Sequence, residues 1–547
     1  MSTYKAVTEV FSGINRLEKV NDGEFKSCIN VLSDQYPAIN CGVGCESVVT
    51  SDKKILKAFP NFNSGQDYMG FEGICEDGSL EYYYLSSDYT LKKNTVSLGT
   101  STEVFRIGHD YYSIKDYLRT NSFGVYAGDS PGDTVTDITG KRVRFAGTVG
   151  VNDDGTQVVF TSSSALSISL SVGDVVAFSL SEEYLASNSG AKYLDTFTYN
   201  YNNVYSYTVT SVSSTKFTCK AVKYNGDAFK LSGEYKFVLT DYCYISKKYP
   251  KFSWLCSHLN RAAGVTVDGG MIMISKPGSY SVFYDYSGEA TDSYSVEVAD
   301  NEPFNGCISY DSMLVVFKSG CMYGLYGDVP ENFQLLQISA DVGCIDPYSM
   351  SVCSGSLYFL STDGFYRYSG GKPVCISRKL GKKYKSAKCC AGGRKYYALC
   401  VDEEDNKELL CFDTELGIWY GLSYLPNDIF CQNNKLYMVY DYEITRLNSQ
   451  GSDWLLESGI ISDDIFNDRA VTELYIRIRN ADEDTFLNVY TADENNDFIP
   501  HITVSGRGFH EFYIPVRFKE GKAFRYKLEG SGKCVITDIR RIYAAVE

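Results

Sequence analysis

The stretch GSLYFLSTDGFYRYSGGKP, residues 355–373, reads as strand, tight turn, returning strand and loop. Leu357, Tyr358, Phe359 and Leu360 carry the outgoing strand, Asp363-Gly364 has the composition of a hairpin turn, and Phe365 to Tyr368 runs back. Three other segments share this build: MLVVFKSGCMYGLY (313–326), KYYALCVDEEDNKELLCFD (395–413) and KLYMVYDYEITRL (435–447). With Leu314, Leu357, Tyr396 and Leu436 as equivalent points, the spacings are 43, 39 and 40 residues. That is close to the period of a propeller, roughly 40–50 residues for each four-stranded blade. One blade can be written out in full, with SAKCCAG as inner strand, RKYYALCV and KELLCFDT as the middle pair and IWYGLSYL at the rim. Only 3 Trp occur in the chain, so there is no tryptophan-aspartate signature per blade, and the Gly-Gly pairs at 269, 370 and 392 are too unevenly spaced for kelch repeats.

Working outward, FEGICEDGSLEYYYLSSD (71–88) and TEVFRIGHDYYSIKDYL (102–118) look like the same kind of sheet. From 126 to 245 the texture changes to Ser-, Thr- and Val-rich strands such as TQVVFTSS and VGDVVAFSL, alternating with turns at Asp154-Gly155 and Gly173-Asp174. This predicts a small β-barrel or sandwich inserted in a propeller loop. The propeller pattern resumes at YPKFSWLCSHLNRAAGV (249–265). After Gly451, short strands such as TELYIRIRN and FHEFYIPVRF predict a C-terminal β-sandwich. In the former, Leu474, Ile476 and Ile478 share one face and Tyr475, Arg477 and Arg479 the other. The expectation is an all-β chain: 1–125 an N-terminal arm and the first part of a β-propeller, 126–245 the insert, 246–450 the remaining propeller, and 451–547 the sandwich.

Composition agrees. The 46 Tyr, 30 Phe and 47 Gly against 12 Pro favour pleated, turn-rich structure, and 547 residues leave room for several cores. A net charge of −16 repels phosphate backbones and forgoes counterion release, which argues against gripping DNA. An acidic wall would still let DNA slide past without sticking. Of the 18 cysteines, Cys219, Cys353, Cys400 and Cys411 sit inside apolar strand patterns and read as buried free thiols made in a reducing cytosol. Neither an export signal nor a run of ~18 apolar residues is present, so no membrane anchoring is expected.

Catalytic patterns fail on context. GDSPG (128–132) matches a nucleophile elbow around Ser130, but Pro131 removes an oxyanion N–H and DTVTDITGKRV shows no helical period, so a polar turn is the better reading. GSGKC (530–534) lacks the first glycine and the Ser/Thr of a phosphate loop. His109, His258, His501 and His510, the Cys41/Cys45 pair and the adjacent Cys389 and Cys390 have no zinc-site spacing. The acidic runs DEEDN (402–406) and DENND (493–497) read as solvated hairpin tips rather than calcium loops. No catalytic residue, cofactor or metal is expected, although carboxylate pairs brought together only in space would escape this reading.

Several segments carry a likeness: FSGINRLEKVNDGEFKSCINVLSDQYPAI (11–39), LNRAAGV (259–265), ISKPGSYSVFYDYSGEATDSYSVEV (274–298), LVVFKSGCMYGLYGDVPENFQLLQI (314–338) and SLYFLSTDGFYRYSGGKPVCIS (356–377). They resemble bacteriophage virion proteins of the stabilisation or tail structural type and, more distantly, the β-propeller tail hub or nozzle proteins of short-tailed phages. The chain departs from that pattern at Ala262-Ala263, where a Trp often follows the NR dipeptide, and in its insert. The resemblance implies a homo-oligomeric ring, commonly a hexamer, in a phage tail made in the host cytoplasm. Such a ring would dock adjacent tail or portal-adaptor proteins and pass DNA without reading its sequence. The competing expectations are a tail protein that binds host-surface glycans and an enzyme, either a glycosidase or a hydrolase using Ser130.

Overall fold

The computed structural model describes residues 5–545 apart from 62–69, 78, 86–90, 98–102, 108–109, 115–122, 127–134, 138–142, 152–156, 169, 181–205, 223–236, 240–242, 248–249, 251, 279–281, 286–287, 299–301, 449, 463–468, 494–496 and 517–522. Among the described residues there is no α-helix, only 3-10 turns at Pro330–Asn332, Pro347–Ser349 and Arg378–Leu380. Among them, therefore, no helix is long and apolar enough to cross a membrane.

The chain is all-β and of propeller type. Four-stranded antiparallel sheets recur at 55–97, 103–137, 252–297, 304–339, 351–375, 384–422 and 428–448, here blades 1 to 7. Blades 1 to 6 are meanders of four consecutive strands. Blade 7 has three local strands and takes its fourth from Gly44–Thr50, which pairs antiparallel with Glu443–Asn448.

The hairpin at 355–373 supplies the middle strands of blade 5, Ser356–Ser361 and Gly364–Tyr368, in the register Leu357 to Tyr368 and Phe359 to Tyr366. Ser361 pairs with Gly364, so the two-residue loop is Thr362-Asp363, one position before the expected turn. Gly364 has φ 130°, and an added Cβ would come within 2.2 Å of the Ser377 hydroxyl, which accepts a hydrogen bond from the Phe365 N–H at 2.7 Å. The hairpins at 313–326, 395–413 and 435–447 hold the same second and third places in blades 4, 6 and 7.

Contacts divide the chain into two units, residues 1–75, 83–92 and 348–547 in one and 76–82 and 93–347 in the other. In the first unit the leading strands of blades 5, 6, 7 and 1 pack against one another in that order. Blades 5 and 6 share an aromatic core: Trp419 lies 5.3 Å from Phe365 and 4.9 Å from Phe412, and its indole N–H donates to the Ile376 carbonyl at 2.9 Å. Val49, Ile55, Ala58, Phe430, Tyr437, Val439 and Ile444 form the core of blade 7 and its neighbour. In the second unit the leading strands of blades 2, 3 and 4 follow one another in the same way, and Val265, Ile274, Cys307, Leu314 and Leu325 are fully buried between blades 3 and 4. Sheets covered on both faces need continuous apolar runs, which is why these strands read as LVVF and YYALC.

The sandwich is larger than 451–547. One sheet joins Val31–Leu32, Ile39–Cys41, Cys534–Ala545, Arg469–Asn480 and Gly508–Pro515, with Lys5–Thr8 also paired on Cys534–Ala545. The other runs through Phe25–Ile29, Asp453–Ser458, Ala523–Ser531, Phe486–Asp493 and Ile499–Ser505, and a parallel pair between Ile29 and Gly421 continues it into blade 6. Residues 5–41 are thus strands of the sandwich rather than an arm leading into the propeller. They cover edges that the C-terminal strands alone would leave unpaired. Arg541, with a side chain 2% exposed, fixes this union by ion pairs to Glu9 at 2.8 Å and to Asp22, while the Tyr526 hydroxyl donates to Glu9. Burial pushes the Glu9 carboxyl up despite the guanidinium beside it.

Among the described residues the insert is one open eight-stranded antiparallel sheet, with a core that includes Phe145, Val158, Phe160, Tyr207, Val209, Phe217 and Ile245. Phe160 and Phe217 stack at 4.7 Å with Phe145 edge-on to both. The sheet runs from Val143–Arg144 to Cys243–Lys247. Its start lies later than 126, because Phe123–Tyr126 and Val135–Asp137 pair with each other in blade 2.

Candidate interaction surfaces

The residues singled out for chemistry are dispersed. Ser130, His109 and part of the 493–497 run lie outside the described residues. His258 ends the leading strand of blade 3, with Nδ1 2.9 Å from the Ser309 hydroxyl. Burial, reinforced by the nearby Arg261 cation, lowers its pKa to about 4, so the imidazole is neutral. His501 and His510 sit on different sandwich strands, next to the Thr491 hydroxyl and the Gly506 carbonyl. The GSGKC run is the turn between Ala523–Ser531 and Cys534–Ala545, where the Gly532 carbonyl lies 1.9 Å from where a Cβ on Gly42 would be. Within the run itself a Cβ on Gly530 would come within 2.4 Å of the Trp454 ring, and Gly532 has φ 86° with the Thr485 hydroxyl 2.6 Å from where its Cβ would be, which explains these glycines without a phosphate.

Cys41 pairs in register with Cys534 inside the sandwich, whereas Cys45 belongs to the strand added to blade 7, so the two are not co-ligands. Cys219, Cys353, Cys400 and Cys411 are buried free thiols. In the DEEDN turn, Asp402 accepts the N–H groups of Glu404 at 3.0 Å and Asn406 at 2.8 Å, which turns its carboxylate inward. Among the described residues no three His, Cys, Asp or Glu side chains group to hold a metal ion.

What the structure does assemble is an exposed face on the sandwich. Alternation along Arg469–Asn480 sends Leu474, Ile476 and Ile478 into the core, all at 0% exposure, and turns Tyr475, Arg477 and Arg479 outward. Cross-strand register then sets Tyr513 beside Tyr475, Glu511 beside Arg477 and Phe509 beside Arg479. The Tyr475 and Tyr513 rings are 4.9 Å apart, and Phe509 and Tyr513 are 63% and 61% exposed. Arg477 meets Glu511 at 3.0 Å, and Arg477 and Arg479 lie 5.8 and 6.0 Å from the Phe509 ring. On the third strand Arg540 pairs with Asp538 at 2.9 Å and lies 5.6 Å from the Tyr475 ring. The result is a patch of aromatic rings and guanidinium groups on a strongly acidic chain. Sequence reasoning identified the outward set on one strand; the FHEFYIP alternation at 509–515 holds the signal for its partner.

Two concavities lie in the same unit. A cavity of about 360 Å³ is lined by Asp34, Arg394, Lys395, Lys435 and Lys533. Its Arg394 pairs with Asp413 at 3.2 Å and Glu415 at 2.9 Å, and Lys395 pairs with Asp34, so much of its positive charge is held internally. A groove of about 510 Å³ is lined by Trp454, Phe486, Tyr490, Asn488, Asp453 and Glu529. Phe486 is 37% exposed there, and the buried Trp454 indole N–H has no hydrogen-bond partner.

No protein-family model and no curated protein matches the chain. Among solved structures it is similar to U3-55K, at 8% identity and TM-score 0.30 over 74% of this chain and 98% of that one. It is similar to BBS1N in complex with ARL6DN, at 10% identity and TM-score 0.33 over 75% and 97%. It is also similar to the WD40 domain of SCAP from fission yeast, at 12% identity and TM-score 0.33 over 74% and 98%. Likenesses this distant say nothing of activity or partners.

Proposed function

We propose that this chain is a structural subunit of a bacteriophage tail, a hub, nozzle or adaptor component that assembles with copies of itself into a ring around a DNA passage and docks neighbouring tail proteins. The observation that carries the assembly reading is the sandwich face of Tyr475, Phe509 and Tyr513 with Arg477, Arg479 and Arg540. Aromatic residues and arginine are enriched at protein interfaces and supply most of their hot spots. Arg477 and Arg540 are paired there with Glu511 and Asp538, so the fit to a second copy of this chain rests on the exposed Phe509 and Tyr513 rings, with Arg479 adding attraction to the acidic surface that a molecule of net charge −16 offers. Blades buried on both faces give the rigid support that symmetric assembly requires. The tail context comes from the sequence resemblance alone.

Mass photometry and negative-stain imaging of the purified chain test this. Closed rings with a pore are expected, and the double variant Phe509→Ser, Tyr513→Ser should shift the distribution toward monomers by tenfold or more. A wild-type chain that stays monomeric and is absent from phage particles rules the proposal out. The groove at Trp454, Phe486 and Tyr490 favours a second reading, a tail protein that binds host-surface glycans, since aromatic rings edged by amide and carboxylate groups suit sugar rings. Binding to a glycan array that is lost in Phe486→Ala would select it.

A further inference from the structure

Two pairs of thiols meet across neighbouring blades at equivalent positions. Cys256 lies on the leading strand of blade 3, Phe252–His258, with its Sγ 3.6 Å from that of Cys307 on the leading strand of blade 4, Phe304–Tyr310. Cys390 lies on the leading strand of blade 6, Tyr384–Gly392, with its Sγ 3.2 Å from that of Cys431 on the leading strand of blade 7, Asp428–Gln432. The pairs fall in different units, so the arrangement occurs twice within one chain. Each joins first strand to first strand of consecutive blades, where no backbone ladder connects the sheets.

We propose that Cys390 with Cys431, and Cys256 with Cys307, are disulfide-forming sites that a hydroperoxide oxidises to staples between adjacent blades. One sulfur, as thiolate, attacks the peroxide oxygen and becomes a sulfenic acid, and the departing hydroxide takes up the released proton as water. The partner thiol then attacks the sulfenic sulfur, forms the S–S bond and expels a second water. Two thiols and one hydrogen peroxide thus give one disulfide and two waters. Reaching a bond of about 2.05 Å requires each pair to close by only about 1–1.6 Å.

Cys256 and Cys431, one residue of each pair, are partly exposed, which admits a small oxidant to that side of the pair. Contact with Cys256 and then burial push the Cys307 thiol up, and burial followed by contact with Cys431 does the same for Cys390. Protonated thiols react slowly. The chain can therefore fold with both pairs reduced in a thiol-buffered compartment and be stapled afterwards, when peroxide is encountered. Since each bridge lies within a single chain, the proposal stands or falls separately from the assembly reading.

The test uses the full chain, reduced and then treated with hydrogen peroxide, followed by non-reducing peptide mapping. Linked peptides containing Cys390 with Cys431 and Cys256 with Cys307 are expected, with the titratable thiols falling from 18 to about 14. The oxidised protein should melt several degrees above the reduced one, and Cys431→Ser and Cys307→Ser should each remove one linked peptide and part of that shift. The peptide map of the wild type stands even where a variant fails to fold. Sulfinic acid at these four cysteines, scrambled linkages, or thiols left free after peroxide would each overturn the proposal.

Discussion

Strand Lys395–Asp402 of blade 6 and strand Arg469–Asn480 of the sandwich are both long and rich in tyrosine, arginine or lysine and aliphatic residues, yet they bury differently. Every residue of the first except Val401 is buried, whereas along 474–479 buried Leu474, Ile476 and Ile478 alternate with Tyr475, Arg477 and Arg479. The difference follows from what covers each sheet. Blade 6 is enclosed on both faces, so its tyrosines serve as core. Among the described residues the outer face of the sandwich sheet is uncovered, so its aromatic rings and guanidinium groups lie at the surface. In a chain with 46 Tyr, the residue type says little about role; the periodicity along its strand says more.

The sharpest way to break this contrast is Trp419→Ala. Trp419 is 3% exposed and touches Phe365 and Phe412, so its removal should lower stability by about 3–5 kcal/mol in urea unfolding of the full chain. A loss below about 1 kcal/mol would mean that the blade is not packed on both sides.

An intermediate effect is expected at the edge of the same blade. Arg16 binds both carboxylate oxygens of Glu408 at 3.1 and 2.7 Å, and the Tyr384 hydroxyl donates to it at 2.6 Å. Burial alone would raise this carboxyl, but the guanidinium and the phenol outweigh burial and hold it below its ordinary 4.5. The group's folded value is depressed, so its stabilisation is complete above 4.5 and disappears as pH falls through that lower value. Glu408→Gln should therefore cost about 1.5–3 kcal/mol at pH 7, and the gap to wild type should narrow as denaturation curves are taken down below pH 4.5. A gap that widens on acidification would refute the assignment.

The smallest change belongs to the exposed face. Phe509→Ser should alter chemical stability by no more than about 0.5 kcal/mol, because the ring is largely exposed and its cation contacts are with the surface guanidinium groups of Arg477 and Arg479. A loss of several kcal/mol would show that the face is structural, and would remove the basis for reading it as an interface.

Much of the architecture was legible in the sequence wherever a strand meets its partner across a short turn. The hairpins at 313–326, 356–368, 395–413 and 435–447 carry both halves of their pairing in one stretch, and all became the middle strands of blades. Strands without a local partner were not legible. Phe25–Ile29 and Gly44–Thr50 pair with residues more than 390 positions away, and nothing in FKSCI or GCESVVT names those partners. The insert boundary moved to 143 for a related reason: VTD at 135–137 has the Thr and Val texture of the insert strands, and only its pairing with FGVY at 123–126 assigns it to blade 2. The outward residues of 475–479 could be read from alternation, but the aromatic partners at 509 and 513 become a surface only once the register is fixed.

The strand that completes blade 7 sets a timetable for the newborn chain. Gly44–Thr50 leaves the ribosome roughly 20–80 s before Glu443–Asn448 at ordinary elongation rates. Through that interval a ready β edge waits without its mate, available to any passing strand. Blade 7 is thus the last blade that translation can finish, with only the sandwich sheets, which need Ala523–Ser531 and Cys534–Ala545, completed after it, and holding the early edge aside is a task for chaperones.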